Sequence, residues 1–221
     1  MTAKVTDTFL RQVVVDALEF EPSIDAADIG VAVEDGIVSL TGHVPTYLQK
    51  HTAQRIVQSV KDVRGIAQNI EVRLAPGMHT ADDQIAKRAA DTLSWDSSLP
   101  PNLQVAVQNG WVSLGGEVQW QYQKTAAEND IKMLFGIKGV TNNITVKPKT
   151  MPRVDEVKRK IEEALRRHAA IDAQDIEVRV ASDGTVTLEG KVDDWDERFA
   201  VENAAWSAMG VRDVVDHLRV V

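Results

Sequence analysis

Five histidines, one run of acids and a few aromatic residues are the groups in this 221-residue chain whose types could do chemistry. The histidines are His43, His51, His79, His168 and His217, and there is no cysteine. No two histidines are spaced as ligands of one zinc ion, so they read as solvated or locally hydrogen-bonded side chains. Without cysteine, disulfides and thiol chemistry are excluded. The acids Asp193, Asp194, Asp196 and Glu197 lack the D-x-D-x-D-G order of a calcium loop. They stand where a helix is expected to begin, and carboxylates there cap free amides and complement the helix dipole. Asp82-Asp83 takes the same reading. The sequence has no phosphate loop, no G-x-S-x-G and no dinucleotide fingerprint. We therefore expect no catalysis, no metal and no cofactor.

The aromatic residues say more. Trp195, Phe199 and Trp206 fall within about 40° of one another on a helix of 100° per residue. They lie roughly opposite the apolar stripe Val201, Ala204, Ala205 and Ala208, so they are expected on an outer face. A surface of that kind must meet another part of the chain or an oligomer, a phospholipid surface, or a protein client. Glu202 and the acids at the helix start argue against a strongly anionic bilayer. Trp111, Trp120 and Tyr122 are the other aromatic candidates for a ligand or partner surface.

What positions these residues is a hairpin written three times: VEDGIVSLTGHV from Val33, VQNGWVSLGGEV from Val107 and VASDGTVTLEGKV from Val180. Gly36, Gly110 and Gly184 are spaced 74 residues apart, as are Gly42, Gly116 and Gly190, which marks a tandem triplication. Asp35-Gly36 and Asn109-Gly110 suit two-residue type I′ turns, and Ser182-Asp183-Gly184 suits a three-residue turn ending in a left-handed glycine. These turns predict that Val33 faces Val38, Val31 faces Leu40 and Ile29 faces Gly42. In the third copy the pairs are Val180/Val186, Val178/Leu188 and Ile176/Gly190. A glycine in an apolar row marks the close approach of another backbone, which we expect to be a helix crossing the sheet.

Each hairpin is flanked by helical patterns and followed by a third strand. In the first copy Phe9, Leu10, Val13, Val14, Ala17 and Leu18 mark one helix after the cap candidates Thr6-Asp7. Ala53, Ile56, Val57 and Val60 mark another, which Gly65 is expected to close, and Ile70 and Val72 belong to the last strand. The predicted architecture is α+β: three tandem α-β-β-α-β domains over 1–76, 77–149 and 150–221. Each is a small three-stranded mixed sheet with two helices on one face. Ala75-Pro76-Gly77 and Pro148 to Pro152 read as linkers. On the outer helix face the first copy carries Tyr47, His51 and Gln58, and the second carries Gln121, Thr125 and Lys132. Only the third copy has made that face apolar.

The net charge of −8 is spread as 7−10 over residues 1–76, 7−7 over 77–149 and 11−16 over 150–221, counting Lys+Arg minus Asp+Glu. A chain with no basic stripe is not expected to bind nucleic acid. The N-terminal residues carry no signal-peptide pattern and no run is apolar for long enough to cross a membrane. A cytoplasmic location is expected, or a periplasmic one if a signal has been removed.

With Gly36/Val38/Leu40/Gly42/Val44 and Gly65/Ile66/Asn69/Ile70/Val72 in the first copy, and Gly110/Val112/Leu114/Gly116/Val118 and Gly139/Val140/Asn143/Ile144/Val146 in the second, the repeat resembles the BON domain of bacterial osmotic-stress and transport-associated proteins. The third copy departs at its close, where Asp213 and His217 replace glycine and asparagine. The resemblance implies a non-enzymatic role at membranes or envelopes through phospholipid contact, with one cytoplasmic branch linked to potassium. The expectation is a stress-related binding module contacting a phospholipid membrane or a protein partner through the outer face of the third copy's second helix. A soluble potassium-responsive protein and a holdase-like chaperone are the rival readings, and a homo-oligomer is compatible with each.

Overall fold

A computed structural model describes residues 6–74, 80–149, 153–167 and 176–220. His79, His168 and the linker residues 75–77 and 150–152 lie outside the described residues.

The first repeat runs α1 (Asp7–Phe20), β1 (Ile29–Glu34), β2 (Ile37–Val44), α2 (Tyr47–Gln58) and β3 (Gly65–Val72), with a short 3-10 turn at Ala26–Asp28. Its sheet order is β1-β2-β3, with β1 antiparallel and β3 parallel to β2. The hairpin register pairs Val33 with Val38, Val31 with Leu40 and Ile29 with Gly42, as the turn predicts. Asp35 and Gly36 both have positive φ, the requirement of a type I′ turn. Leu10, Val14 and Leu18 of α1 and Ala53 and Val57 of α2 share one core with Val38, Leu40, Val44 and Ile70, so both helices cover the same face. Thr6 and Thr46 cap α1 and α2, accepting from Phe9 N and Gln49 N.

Gly65 does not close a helix. Ser59 caps α2, and Gly65 is the first residue of β3, paired with Ile37. A Cβ at that site would meet Ile37 side-chain carbons at 3.7 and 3.9 Å, an ordinary van der Waals contact, so crowding does not demand glycine there.

The second repeat runs α3 (Asp82–Trp95), β4 (Gln104–Gln108), β5 (Trp111–Gly115), β6 (Glu117–Val118), α4 (Gln121–Lys132), β7 (Gly139–Asn142) and β8 (Thr145–Val146). Here the long central strand is interrupted at Gly116, whose φ is +121°, leaving a three-stranded sheet β4-β5-β7 and a two-stranded ribbon β6-β8. The third repeat runs α5 (Val154–Arg167), β9 (Ile176–Val180), β10 (Thr185–Val192), α6 (Trp195–Trp206) and β11 (Asp213–Val220). Its strand pairing repeats that of the first, with Val186/Val180, Leu188/Val178 and Gly190/Ile176 opposed. Val157, Ile161, Leu165, Val201 and Ala205 of its helices pack with Val178, Val186, Leu188 and Leu218.

The chain forms two compact units. One contains residues 1–96, 104–114 and 128–142, and the other 97–103, 115–127 and 143–221. The first unit therefore holds the whole first repeat together with α3, β4, all but the last residue of β5, the end of α4 and β7 of the second.

The second glycine of each hairpin has a reason other than a crossing helix. Gly42, Gly116 and Gly190 have φ of +102°, +121° and +146°. A Cβ on Gly42 would run into the carbonyl oxygen of Asp28, and one on Gly116 would lie 3.1 Å from the carbonyl oxygen of Asn102. The approaching backbone is that of the chain entering the hairpin's first strand. Glycine is required by the left-handed backbone as well as by the approach.

Candidate functional site

The aromatic face of α6 starts from a built helix terminus. Asp194 is the N-cap and accepts from Glu197 N at 2.8 Å, while the buried Glu197 carboxylate accepts from Asp193 N at 2.6 Å. This reciprocal clasp is a capping box shifted by one residue. Two members of the acidic run thus hold backbone amides. The second repeat uses Gln123 in the same place, accepting from Gln119 N and Trp120 N.

On this footing the rings of Trp195 and Phe199 lie 6.2 Å apart and tilted by 40°. The separation falls in the range of about 4.5–7 Å in which aromatic pairs attract, although the tilt is intermediate between stacked and edge-to-face. The Arg198 guanidinium sits 5.0 Å from the Trp195 ring centroid, and its Nε donates to Asp216 Oδ2 at 2.7 Å. Asp216 is itself fixed, because its Oδ1 accepts from Leu218 N at 2.7 Å. The result is an ordered chain, from strand amide to carboxylate to guanidinium to indole, ending at Phe199, which is 38% exposed.

Trp206 belongs elsewhere. It is half-buried against the core of the third repeat, with its indole N–H donating to Glu202 Oε1 at 3.4 Å. Ala204, Ala205 and Ala208 pack in the same cluster. The single outer stripe expected from helical angles therefore divides into a Trp195/Phe199 pair and a core-packed Trp206.

Trp111 is on the open face of the second repeat's sheet, as expected, but it is pinned there. Its indole N–H donates to Thr141 Oγ1 at 2.7 Å. Trp120 is half-buried at the entry to α4, and Tyr122 is exposed on its first turn. Sequence reasoning passed over Trp95 and Phe20, the most exposed large apolar residues described, at the ends of α3 and α1. Their signal is position: each falls two residues beyond the last inner residue of its helix, Leu93 and Leu18.

The equivalent helix face of the first repeat makes a polar contact with the second. His51 Nε2 of α2 is 3.1 Å from Lys132 Nζ of α4, and Lys132 Nζ is 2.7 Å from Glu128 Oε1. Asn142 Nδ2 of β7 donates to Glu128 Oε2 at 3.1 Å. The Tyr47 hydroxyl receives the Val140 backbone N–H. Burial, aided by the charges of Lys132 and Arg55, lowers the proton affinity of His51. Burial also raises the pKa of Tyr47. For Glu128 burial works against the charge, but the hydrogen bonds from Lys132 and Asn142 outweigh it and its pKa falls.

Among the described residues, no group of three or more histidines, aspartates and glutamates is placed to hold a metal ion. Nor is any described helix long and apolar enough to cross a membrane.

These features define a repeat protein of small α+β modules, and comparison identifies the modules. The BON domain family model matches residues 6–73, 81–148 and 153–221, and the chain belongs to that family. It is similar to osmotically-inducible protein Y of Escherichia coli strain K12, with 27% identity over 146 residues, covering 64% of this chain and 73% of that protein. Among solved structures it matches CdsD, a structural protein of the type III secretion system of Chlamydia trachomatis. Identity there is 14% and the TM-score 0.27, with coverage of 94% of this chain and 90% of that one. The C-terminal domain of CdsD gives the same TM-score, with coverage of 98% and 100%.

Proposed function

We propose that this is a non-enzymatic, stress-related binding protein whose contact surface is the Trp195/Phe199 pair of α6, and that this surface takes an apolar segment of another protein. The observation that carries the reading is the ordering of the pair: Trp195 is stacked under Arg198, Arg198 is tied to Asp216, and Phe199 is presented beside them. An aromatic anchor fixed before binding loses little conformational freedom on contact, which is the property of an interface hot spot. Asp193, Asp194 and Asp196 at the start of α6 flank the pair in sequence with negative charge, which favours a polypeptide over an anionic bilayer. The name of the E. coli relative, osmotically inducible, supports placing the role in osmotic stress.

The test compares the native chain with the double variant Trp195→Ala/Phe199→Ala. Two measurements are made: suppression of aggregation of a chemically unfolded client, and co-sedimentation with zwitterionic or anionic vesicles. Suppression by the native chain that is lost in the variant, with no vesicle binding by either, is the expected result. Vesicle binding that depends on the pair would make the surface a lipid contact. Equal behaviour of the two chains in both assays would remove α6 from the function.

A further inference from the structure

Lysine's ammonium has three donors and no acceptor. Its 3.1 Å contact with His51 Nε2 therefore requires that nitrogen to be unprotonated, with the ring proton on Nδ1. The Lys132 side chain is only 11% exposed, and it is held on its other side by Glu128. The geometry of this contact is thus available to neutral histidine alone. We propose that His51 and Lys132 form a pH-responsive latch between the first and second repeats, closed when His51 is neutral and loosened when it takes up a proton.

The charged groups that face His51 can be named element by element. From α4 come the Lys132 ammonium and the Glu128 carboxylate, and from α2 itself comes Arg55. Tyr47 of α2 and Asn142 of β7 complete the junction as neutral partners. Protonation of His51 abolishes the acceptor and sets an imidazolium against an ammonium, with Arg55 adding a third positive charge. Among the described residues Glu128 is the anion that acts on His51, and it is already engaged by Lys132 and Asn142.

The sign follows from linkage. In the docked state the proton affinity of His51 is depressed, so the undocked state binds more protons as pH falls below the ordinary histidine value of about 6.5. Docking is then at full strength above that value. It weakens as pH falls through it, and the loss levels off once the depressed value is passed. The pKa of Glu128 is lowered from its ordinary value, so Glu128 stays ionised through this window. The transition therefore belongs to His51.

The junction has a built-in reporter. The Val140 amide is on β7, and its hydrogen bond to the Tyr47 hydroxyl exists only while the repeats are docked. The experiment uses the full chain at pH 7.5 and 5.5. It measures the hydrogen-exchange protection factor of Val140 and the titration of the His51 ring, assigned by its disappearance in His51→Gln. The Val140 protection should fall by up to about tenfold for each unit by which the His51 pKa is depressed, while that of Leu40 in the sheet of the first repeat stays constant. His51→Gln keeps a neutral acceptor for Lys132 and should make the Val140 protection independent of pH. Lys132→Met should return the His51 titration toward the ordinary value. A His51→Gln chain that keeps the full pH-dependent loss would overturn the latch. A His51 titration unmoved by Lys132→Met would do so too, and needs no folded His51→Gln protein.

Discussion

Trp111 lies over Gly139, with three of its six-membered-ring carbons 2.6 to 2.7 Å from where a Cβ on residue 139 would project. The indole can reach Thr141 only because position 139 has no side chain. Gly139→Ala should leave the strand paired, since no positive φ is required there. It should push the indole off Thr141 at a cost of about 1 kcal/mol, the worth of one hydrogen bond. The readout is the indole N–H resonance of Trp111, which loses exchange protection. An unchanged resonance would show that the ring finds the same contact by another path.

At Gly42 glycine is needed for backbone reasons, and the outcome should be harsher. Gly42→Ala forces an L residue to φ of +102° and drives its Cβ into the Asp28 carbonyl. We expect a loss of about 2 to 3 kcal/mol, combining left-handed strain with overpacking. Gly115→Ala is the control, because a Cβ there meets nothing within 4 Å, and it should cost well under about 1 kcal/mol. Denaturant midpoints of the two variants, compared at constant slope, decide the point.

The hairpins were legible because turn chemistry and strand alternation are local. Asp35-Gly36 sets its own φ values, and the register of Val33 with Val38 follows without knowledge of the rest of the chain. The reason for Gly42 was only half legible. The sequence shows that something comes close, but the carbonyl of Asp28 is brought there by the course of the chain before β1. Trp206 was misplaced because helical angles locate the base of a side chain, and an indole is long enough to end on another face. The Lys132 and His51 contact was out of reach altogether. The two residues are 81 positions apart, and their types follow no pattern that either helix imposes alone.

The first-turn acids of α1 and α3 have a task that cap reasoning did not assign. Asp7 accepts from the backbone amides of Asp35 and Gly36 at 3.0 and 3.1 Å, and Asp82 from those of Asn109 and Gly110 at 2.6 and 2.8 Å. Each carboxylate clamps a type I′ turn to the start of a helix. Asp7→Ala and Asp82→Ala should each cost about 1 to 3 kcal/mol, the range for hydrogen bonds to a charged acceptor. In the third repeat α5 begins with Val154, and the longer turn is held from within, with Asp183 accepting from Thr185 N at 3.0 Å. Val154→Asp should therefore give no gain in melting temperature. A gain would mean that the three turns are equivalent after all.

Arg198 serves two partners, Asp216 through its Nε and Trp195 through its planar face, and substitutions at 216 and 198 separate their effects. Asp216→Asn removes the charge while retaining a side-chain oxygen able to accept from Leu218 N, so β11 should keep its pairing. Without its counter-charge the guanidinium is less firmly held over the indole. With Trp195 as the sole tryptophan, its emission should become more accessible to acrylamide, and stability should fall by about 1 to 2 kcal/mol for this partly buried pair. Arg198→Lys supplies the complementary arm. An ammonium can still meet Asp216, but it has no planar face to lay on the ring. If quenching of Trp195 rises in Arg198→Lys as well, the stacked guanidinium is what shields the indole and fixes the aromatic pair. If quenching rises only in Asp216→Asn, the shielding comes from the carboxylate's hold on the strand, and the pair is ordered by β11 instead.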